Sequence, residues 1–166
     1  PQGVEPFADV DYEAFLASAE DLDNWVLPDD EWDAIALNYT SGTTGNPKGV
    51  VYHHRGAALN AISQILEFDM PKRPVYLWTL PLFHCNGWCF AWTIAARGGV
   101  NVCLRKFEPK ICFDLIRQER VDYYCAAPVV HAALANAPAE MKQGIEHEVN
   151  AMIAGAAPPE AVLARM

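Results

Sequence analysis

Between Tyr39 and Gly49 the sequence reads Tyr-Thr-Ser-Gly-Thr-Thr-Gly-Asn-Pro-Lys-Gly. Gly42, Gly45 and Gly49 let main-chain N–H groups come close to an anion, and the hydroxyls of Thr40, Ser41, Thr43 and Thr44 can donate to phosphate oxygens. Lys48 adds a compact positive charge, so the set suits a polyphosphate. It is not the Walker loop, because Lys48 precedes Gly49 and no glycine-lysine-hydroxyl order occurs. A flexible turn between two strands would account for the glycines, but not for so many hydroxyls beside one lysine. Metal chemistry has weaker support. His53-His54 and His84-Cys85 are neighbours in sequence, and neighbours on a strand point to opposite faces. The five cysteines are an odd number with no CxxC pair, which indicates reduced thiols in the core of a cytoplasmic protein rather than a zinc knuckle or a disulfide framework.

Alternating short apolar runs and helical periods must position this loop. Residues 10–19 have helical spacing and then give way to an acidic, proline-containing stretch over 20–33. From Ala34 the pattern predicts strands over 34–39, 50–53, 75–80, 100–104, 123–126 and 149–153. Helices are predicted over 55–68, 88–96, 109–119 and 129–136, with another begun at Pro159. Strands apolar on both faces and separated by helices predict an α/β fold, a mostly parallel sheet with helices on both faces. Pro109 suits a first helical turn, Ile111, Leu115 and Ile116 form an apolar stripe for the sheet, and Gly98-Gly99 can end the preceding helix. In such a sheet ligands bind beyond the carboxyl ends of strands, which directs attention to the loops after Tyr39, Leu80, Ala126 and Ile153. His84 stands in the second of these.

Residues 39–50, YTSGTTGNPKGV, resemble the phosphate-binding signature of the adenylate-forming, AMP-binding superfamily: acyl-CoA synthetases, luciferases and the adenylation domains of peptide synthetases. Pro81 to Trp88, PLFHCNGW, is similar to that family's second motif, and Gly155-Ala156-Ala157-Pro158 to the loop lying along the adenine. The resemblance extends over at least residues 34–166, with the wording around His84 most similar to CoA ligases for short, medium-chain or aromatic carboxylates. It implies a carboxylate that attacks the α-phosphorus of ATP and a CoA thiolate that then displaces AMP, with magnesium required. It assigns Thr40, Ser41, Gly42, Thr43, Thr44, Gly45 and Lys48 to the phosphates, Gly155 to Pro158 to the base, and catalytic His84 to the border of the carboxylate and acyl pocket. Trp88, and less so Trp92, would wall an acyl cavity, although their i, i+4 spacing also arises from ordinary packing. An adenylation domain that loads a carrier-protein thiol shares the phosphate loop, as does a luciferase, and a non-catalytic nucleotide-binding module remains a further alternative.

Composition sets the remaining bounds. The 166 residues carry a formal charge of −9 with 52% hydrophobic side chains, which excludes a disordered tail and a strongly basic nucleic-acid binder. Residues 1–33 hold eleven acidic and no basic side chains, leaving ten acids against twelve bases in the remainder, so residues 1–33 read as an acidic connecting segment and 34–166 as a partial AMP-binding α/β domain. The longest apolar run, residues 88–96, is far short of the roughly 20 residues that span a bilayer. Relative to the family pattern, the later Glu-bearing motif, the ribose-binding aspartate and the C-terminal domain with its lysine are expected beyond Met166. The expected partners are a small carboxylate, ATP and CoA, with self-association through an exposed sheet edge.

Overall fold

The computed structural model describes residues 9–20, 26–41 and 45–165. In the acidic segment a short helix, α1 (Tyr12–Ala17), begins where Asp11 Oδ1 accepts from the N–H groups of Glu13 at 3.0 Å and Ala14 at 3.2 Å. It is shorter than the predicted 10–19 span, and every residue in it is exposed. Next come β1 (Ala34–Tyr39), β2 (Gly49–His53), α2 (His54–Glu67), β3 (Val75–Trp78), the helical turn α3 (Cys85–Trp88) and α4 (Phe90–Ala96). They are followed by β4 (Val100–Cys103), α5 (Pro109–Glu119), β5 (Tyr123–Ala126), α6 (Pro128–Ala135), α7 (Ala139–Lys142), β6 (Asn150–Ile153) and α8 (Glu160–Leu163).

Four strands form one parallel sheet in the order β4-β3-β5-β6. Strand alternation divides its side chains between two cores. Leu77, Tyr124 and Ala126 pack on one face with Cys112, Phe113 and Ile116 of α5 and Leu134 of α6. Tyr76, Trp78, Tyr123 and Cys125 pack on the other with Met70 and with Phe90 and Ile94 of α4. Each fully buried Leu, Ile or Phe contributes about 1.5–3 kcal/mol of transfer free energy. Helices therefore cover both faces, and the α/β architecture is as the sequence predicts.

Three local features differ from the sequence expectation. First, β1 and β2 stand outside the parallel sheet as an antiparallel hairpin with Tyr39 opposite Gly49 and Asn38 opposite Val50. Only residues 40–48 separate the two strands, too few for the crossover of a dozen or more residues that parallel pairing demands. Second, the helix predicted from Trp88 begins at Phe90. Cys85, Asn86, Gly87, Trp88 and Cys89 all have φ between 49° and 66°, a left-handed turn. Gly87 presses on the Trp78 indole so closely that a Cβ there would meet Trp78 Cζ3 at 2.2 Å. Third, α5 starts with Pro109 as expected, but its buried face is Cys112, Phe113 and Ile116, with Ile111 exposed and Leu115 half-buried. The Gly98-Gly99 stop is as expected: the N–H groups of Gly98 and Gly99 close onto the carbonyls of Ala95 (3.0 Å) and Ile94 (2.9 Å).

Candidate functional site

The β1–β2 hairpin carries the glycine-rich loop at its tip. Thr40 closes the neck twice: its N–H donates to Lys48 O at 3.0 Å, and its Oγ1 accepts from Lys48 N–H at 3.1 Å. Among the described residues the Thr40 hydroxyl serves only as acceptor, which leaves its proton for a ligand. Ser41, Gly45 and Lys48 are exposed around the tip, while Gly42, Thr43 and Thr44 lie outside the described residues.

Cross-strand partners share a face, so pairing Asn38 with Val50 and Ala36 with Tyr52 places Asn38, Val50 and Tyr52 on one side of the hairpin. That side borders a cavity of about 530 Å³, lined by these three residues, by Tyr39, Thr40 and Ser41 of the hairpin end, and by Phe83, His84 and Cys85 of the loop after β3. The loop after β3 is anchored at its start by Thr79 Oγ1, which donates to Cys125 O at 2.5 Å and ties the carboxyl ends of β3 and β5 together. His84 is exposed, with Nδ1 4.0 Å from Cys85 Sγ. The Thr40 and Ser41 hydroxyls at the hairpin end and the His84 imidazole of the loop after β3 thus border one space.

Tyr52 sits at the inner wall. Burial first, and then the neighbouring Cys85 and Cys89 thiols, push its phenol above the ordinary value, with the Asn38 amide opposing. Cys89 is likewise raised, by burial and by Cys85. Both groups keep their protons near neutrality.

Neither tryptophan lines this cavity. Trp88 packs against the aromatic core that contains Trp78 and Phe90, and its carbonyl accepts from Gln64 Nε2 at 2.7 Å. Trp92 lies 6.1 Å from the Tyr52 ring and borders a separate groove between α2 and α4, with His54, Ala57 and Ala61. The turn after β6 has glycine at 155 with a φ of +90°, a conformation L side chains rarely adopt, and a Cβ there would meet no protein atom within 4 Å. Gly155, Ala156 and Ala157 are exposed and Pro158 is half-buried. None of the four lines the cavity, but they leave the same carboxyl edge two strands away from β3, roughly 10 Å across the sheet. The site residues that sequence reasoning missed are Asn38, Tyr52 and Phe83. The one available signal was an amide in an otherwise apolar strand.

A family model described as "AMP-binding enzyme" matches residues 4–166, nearly the whole chain. The chain belongs to the AMP-binding enzyme family. This AMP-binding chain is 51% identical over 158 residues to a peroxisomal acetate/butyrate–CoA ligase of Arabidopsis thaliana, covering 95% of the chain and 28% of that protein. It is also 51% identical over 141 residues to a 2-methylpropanoate–CoA ligase of Humulus lupulus, with 85% and 25% covered. Among solved structures, the inhibitor-bound N-terminal domain of FACL13 from Mycobacterium tuberculosis superposes with a TM-score of 0.80 at 30% identity, over 90% of this chain and 37% of that one. The o-succinylbenzoate–CoA synthetase of Bacillus subtilis, solved with ATP and a magnesium ion, gives a TM-score of 0.70 at 25% identity, with 82% and 28% covered. The AMP-binding chain therefore spans about a quarter of the length of its plant relatives and has the fold of adenylate-forming N-terminal domains.

Proposed function

We propose that the chain is the phosphate- and acid-binding portion of an ATP-dependent carboxylate–CoA ligase, and that its acid is short and aliphatic. One observation carries the reading: the hydroxyl-bearing end of the hairpin and the His84 imidazole border a single cavity, as a reaction joining a triphosphate to a carboxylate requires. The acids in the two plant relatives' names, acetate, butyrate and 2-methylpropanoate, support a short chain.

In this reading a carboxylate oxygen attacks the α-phosphorus of ATP, the bond to the β-phosphate oxygen breaks, and pyrophosphate carries away the charge. Thr40, Ser41, Gly45 and Lys48 are the loop groups that would bind the departing pyrophosphate, and the sequence motif assigns Gly42, Thr43 and Thr44 to the same task. Donors aimed where charge develops lower the barrier, because they are oriented before the reaction and need not reorganise. His84 borders the acid, and Gly155, Ala156, Ala157 and Pro158 lie toward the base. The CoA thiol then attacks the acyl carbon and AMP leaves. Magnesium, when bound, neutralises phosphate charge. Among the described residues no group of three or more His, Cys, Asp or Glu side chains is gathered to hold it.

The full-length protein carrying this segment tests the reading. Pyrophosphate exchange that needs a short acid, and thioester formation that needs CoA, are the expected results. Exchange indifferent to carboxylates, or acyl transfer only to a carrier-protein thiol, would overturn it. Among the described residues no helix is long and apolar enough to cross a membrane. We assign the protein to a reducing compartment on its free cysteines, and imaging of the tagged full-length protein distinguishes cytoplasm from peroxisome.

A further inference from the structure

The five cysteines differ sharply in their surroundings. Cys112 and Cys125 are buried, and burial pushes their thiols up to about 11 and about 12. Cys103 is exposed on the edge strand β4. Cys85 and Cys89 form a pair, one exposed and the other half-buried, at the two ends of the left-handed turn that follows His84. The main chain closes that turn with Cys89 N–H donating to Cys85 O at 2.9 Å, and Cys89 Sγ leans back to 3.8 Å from the same oxygen. Cys85 also lines the cavity shared by the hairpin end and His84, with its Sγ 4.0 Å from His84 Nδ1.

We propose that Cys85 and Cys89 form a redox modification site: a hydroperoxide entering the cavity oxidises the Cys85 thiol, and Cys89 resolves the product as a disulfide that disables the His84 side of the cavity. Cys85 takes the first step because its sulfur meets the cavity and has an imidazole beside it to receive the thiol proton. Burial, and then Cys85 itself, raise the Cys89 thiol and keep it protonated until the second step. The Cys85 sulfur attacks one oxygen of the hydroperoxide, the O–O bond breaks and an alcohol leaves, giving a sulfenic acid. The Cys89 sulfur then attacks the Cys85 sulfur, the S–O bond breaks, and the hydroxyl leaves as water with the Cys89 proton. Two thiols have lost two hydrogens and two electrons, and the hydroperoxide has become an alcohol and water. Bridging brings the two sulfurs to about 2.05 Å, which draws the Cys85 side chain toward the start of α4 and shifts the backbone next to His84. The turn can yield, because Asn86 and Trp88 hold φ of 50° and 55°, conformations unfavourable for L-residues. Displacing a positioned group by about 1 Å can slow a reaction about a hundredfold. The thiol chemistry is independent of the ligase reading above, and only the loss of activity rests on it.

The test treats the full-length protein with hydrogen peroxide, blocks the remaining thiols and reads the peptide carrying residues 85–89 by mass, with pyrophosphate exchange measured in parallel. In the wild type this peptide should lose two hydrogens before Cys103 is oxidised. Exchange should fall by at least about tenfold, and dithiothreitol should restore both. Cys89→Ser should stop at the sulfenic acid on Cys85, captured as a dimedone adduct, and Cys85→Ser should leave Cys89 as a thiol. A wild-type peptide that keeps both thiols while Cys103 is oxidised, or that takes up oxygen without forming the bridge, overturns the proposal, and this arm needs no variant to fold. A bridge that forms with exchange unchanged overturns its control of the site. If the bridge forms but the untreated protein shows no exchange, the ligase reading falls and the thiol site stands.

Discussion

Lys48 is the only cationic side chain of the 39–49 loop, and it sits at the neck that Thr40 closes, exposed and, among the described residues, in no ion pair. In the proposed reaction its charge would meet a phosphate that gains charge as its bond to the α-phosphorus breaks. If the full-length protein is the proposed ligase, Lys48→Ala in it should lower kcat for adenylation by about 2.7–4 kcal/mol of transition-state stabilisation, with little change in the carboxylate KM. Pyrophosphate-exchange kinetics check this, and an effect confined to the acid KM would remove the assignment. A second residue-scale prediction concerns His131, which is fully buried at the start of α6. Its Nε2 lies 3.2 Å from Met152 O on β6, and its Nδ1 lies 3.3 Å from the Tyr124 hydroxyl on β5. A carbonyl can only accept, so Nε2 carries the proton and Nδ1 accepts from Tyr124. Burial lowers the imidazole pKa, with hydrogen bonds to Met152 and Ala126 opposing, and burial pushes the Tyr124 phenol up to about 12. Because the folded pKa is depressed, the unfolded chain takes up more protons below about 6.5. Stability is thus full above that pH and declines as pH falls through it toward the folded value. Thermal midpoints measured from pH 7.5 down to 5.5 should fall, and the decline should be shallower in His131→Gln.

At the scale of elements, the junction from β3 to α4 is held by close packing rather than by helix propensity. Five consecutive residues with positive φ are costly for L-amino acids, roughly 1–2 kcal/mol each outside glycine. The turn persists because Gly87 rests on Trp78 and because Gln64 of α2 bridges the Trp88 carbonyl and the Thr93 hydroxyl. Gly87→Ala adds both the left-handed penalty and a methyl against the Trp78 indole, whose Nε1 donates to Asn101 Oδ1 at 2.8 Å, and should destabilise by about 2–4 kcal/mol in urea titration. A variant as stable as wild type would mean that Gly87 does not hold this turn. Trp88 is the companion case. Since its indole packs on the aromatic core, Trp88→Ala should lower stability by about 1–3 kcal/mol and move all carboxylates together in kcat/KM. A re-ordered chain-length preference would instead give Trp88 the acyl-pocket role that its place in the sequence suggests.

At the scale of the whole molecule, the parallel sheet ends at β4 on one side and β6 on the other, and among the described residues neither strand has an outer partner. Unpaired strand edges template association. The isolated 166-residue segment should therefore show concentration-dependent self-association by light scattering. The same segment covers 28% of the length of its Arabidopsis relative. With ATP, magnesium, CoA and a mixture of acids, the isolated segment should release no stoichiometric AMP and form no thioester detectable by mass. Phosphate donors alone leave most of the cost of immobilising a mobile triphosphate unmet. Thioester formation by the segment would show that its residues suffice for both steps.

Local spacing and punctuation were enough to place most elements, because helical and strand periods, Pro109 at a first turn and Gly98 at a helix end act within a few residues of chain. The same local information singled out Thr40, Ser41 and Lys48, since a glycine loop crowded with hydroxyls and one lysine suits a polyphosphate, while His84 was marked by its loop after a predicted strand and by the family resemblance. The tertiary structure alone decided that β1 and β2 leave the parallel sheet, that Trp88 turns into the core, and that Asn38 and Tyr52 join His84 around one cavity. Such outcomes depend on which distant surfaces are buried together. Strand pairing and the contact of Gly87 with Trp78 link segments whose affinity for each other is not written in the period of either one, so they emerge only when the sheet, the hairpin and α4 are packed at once.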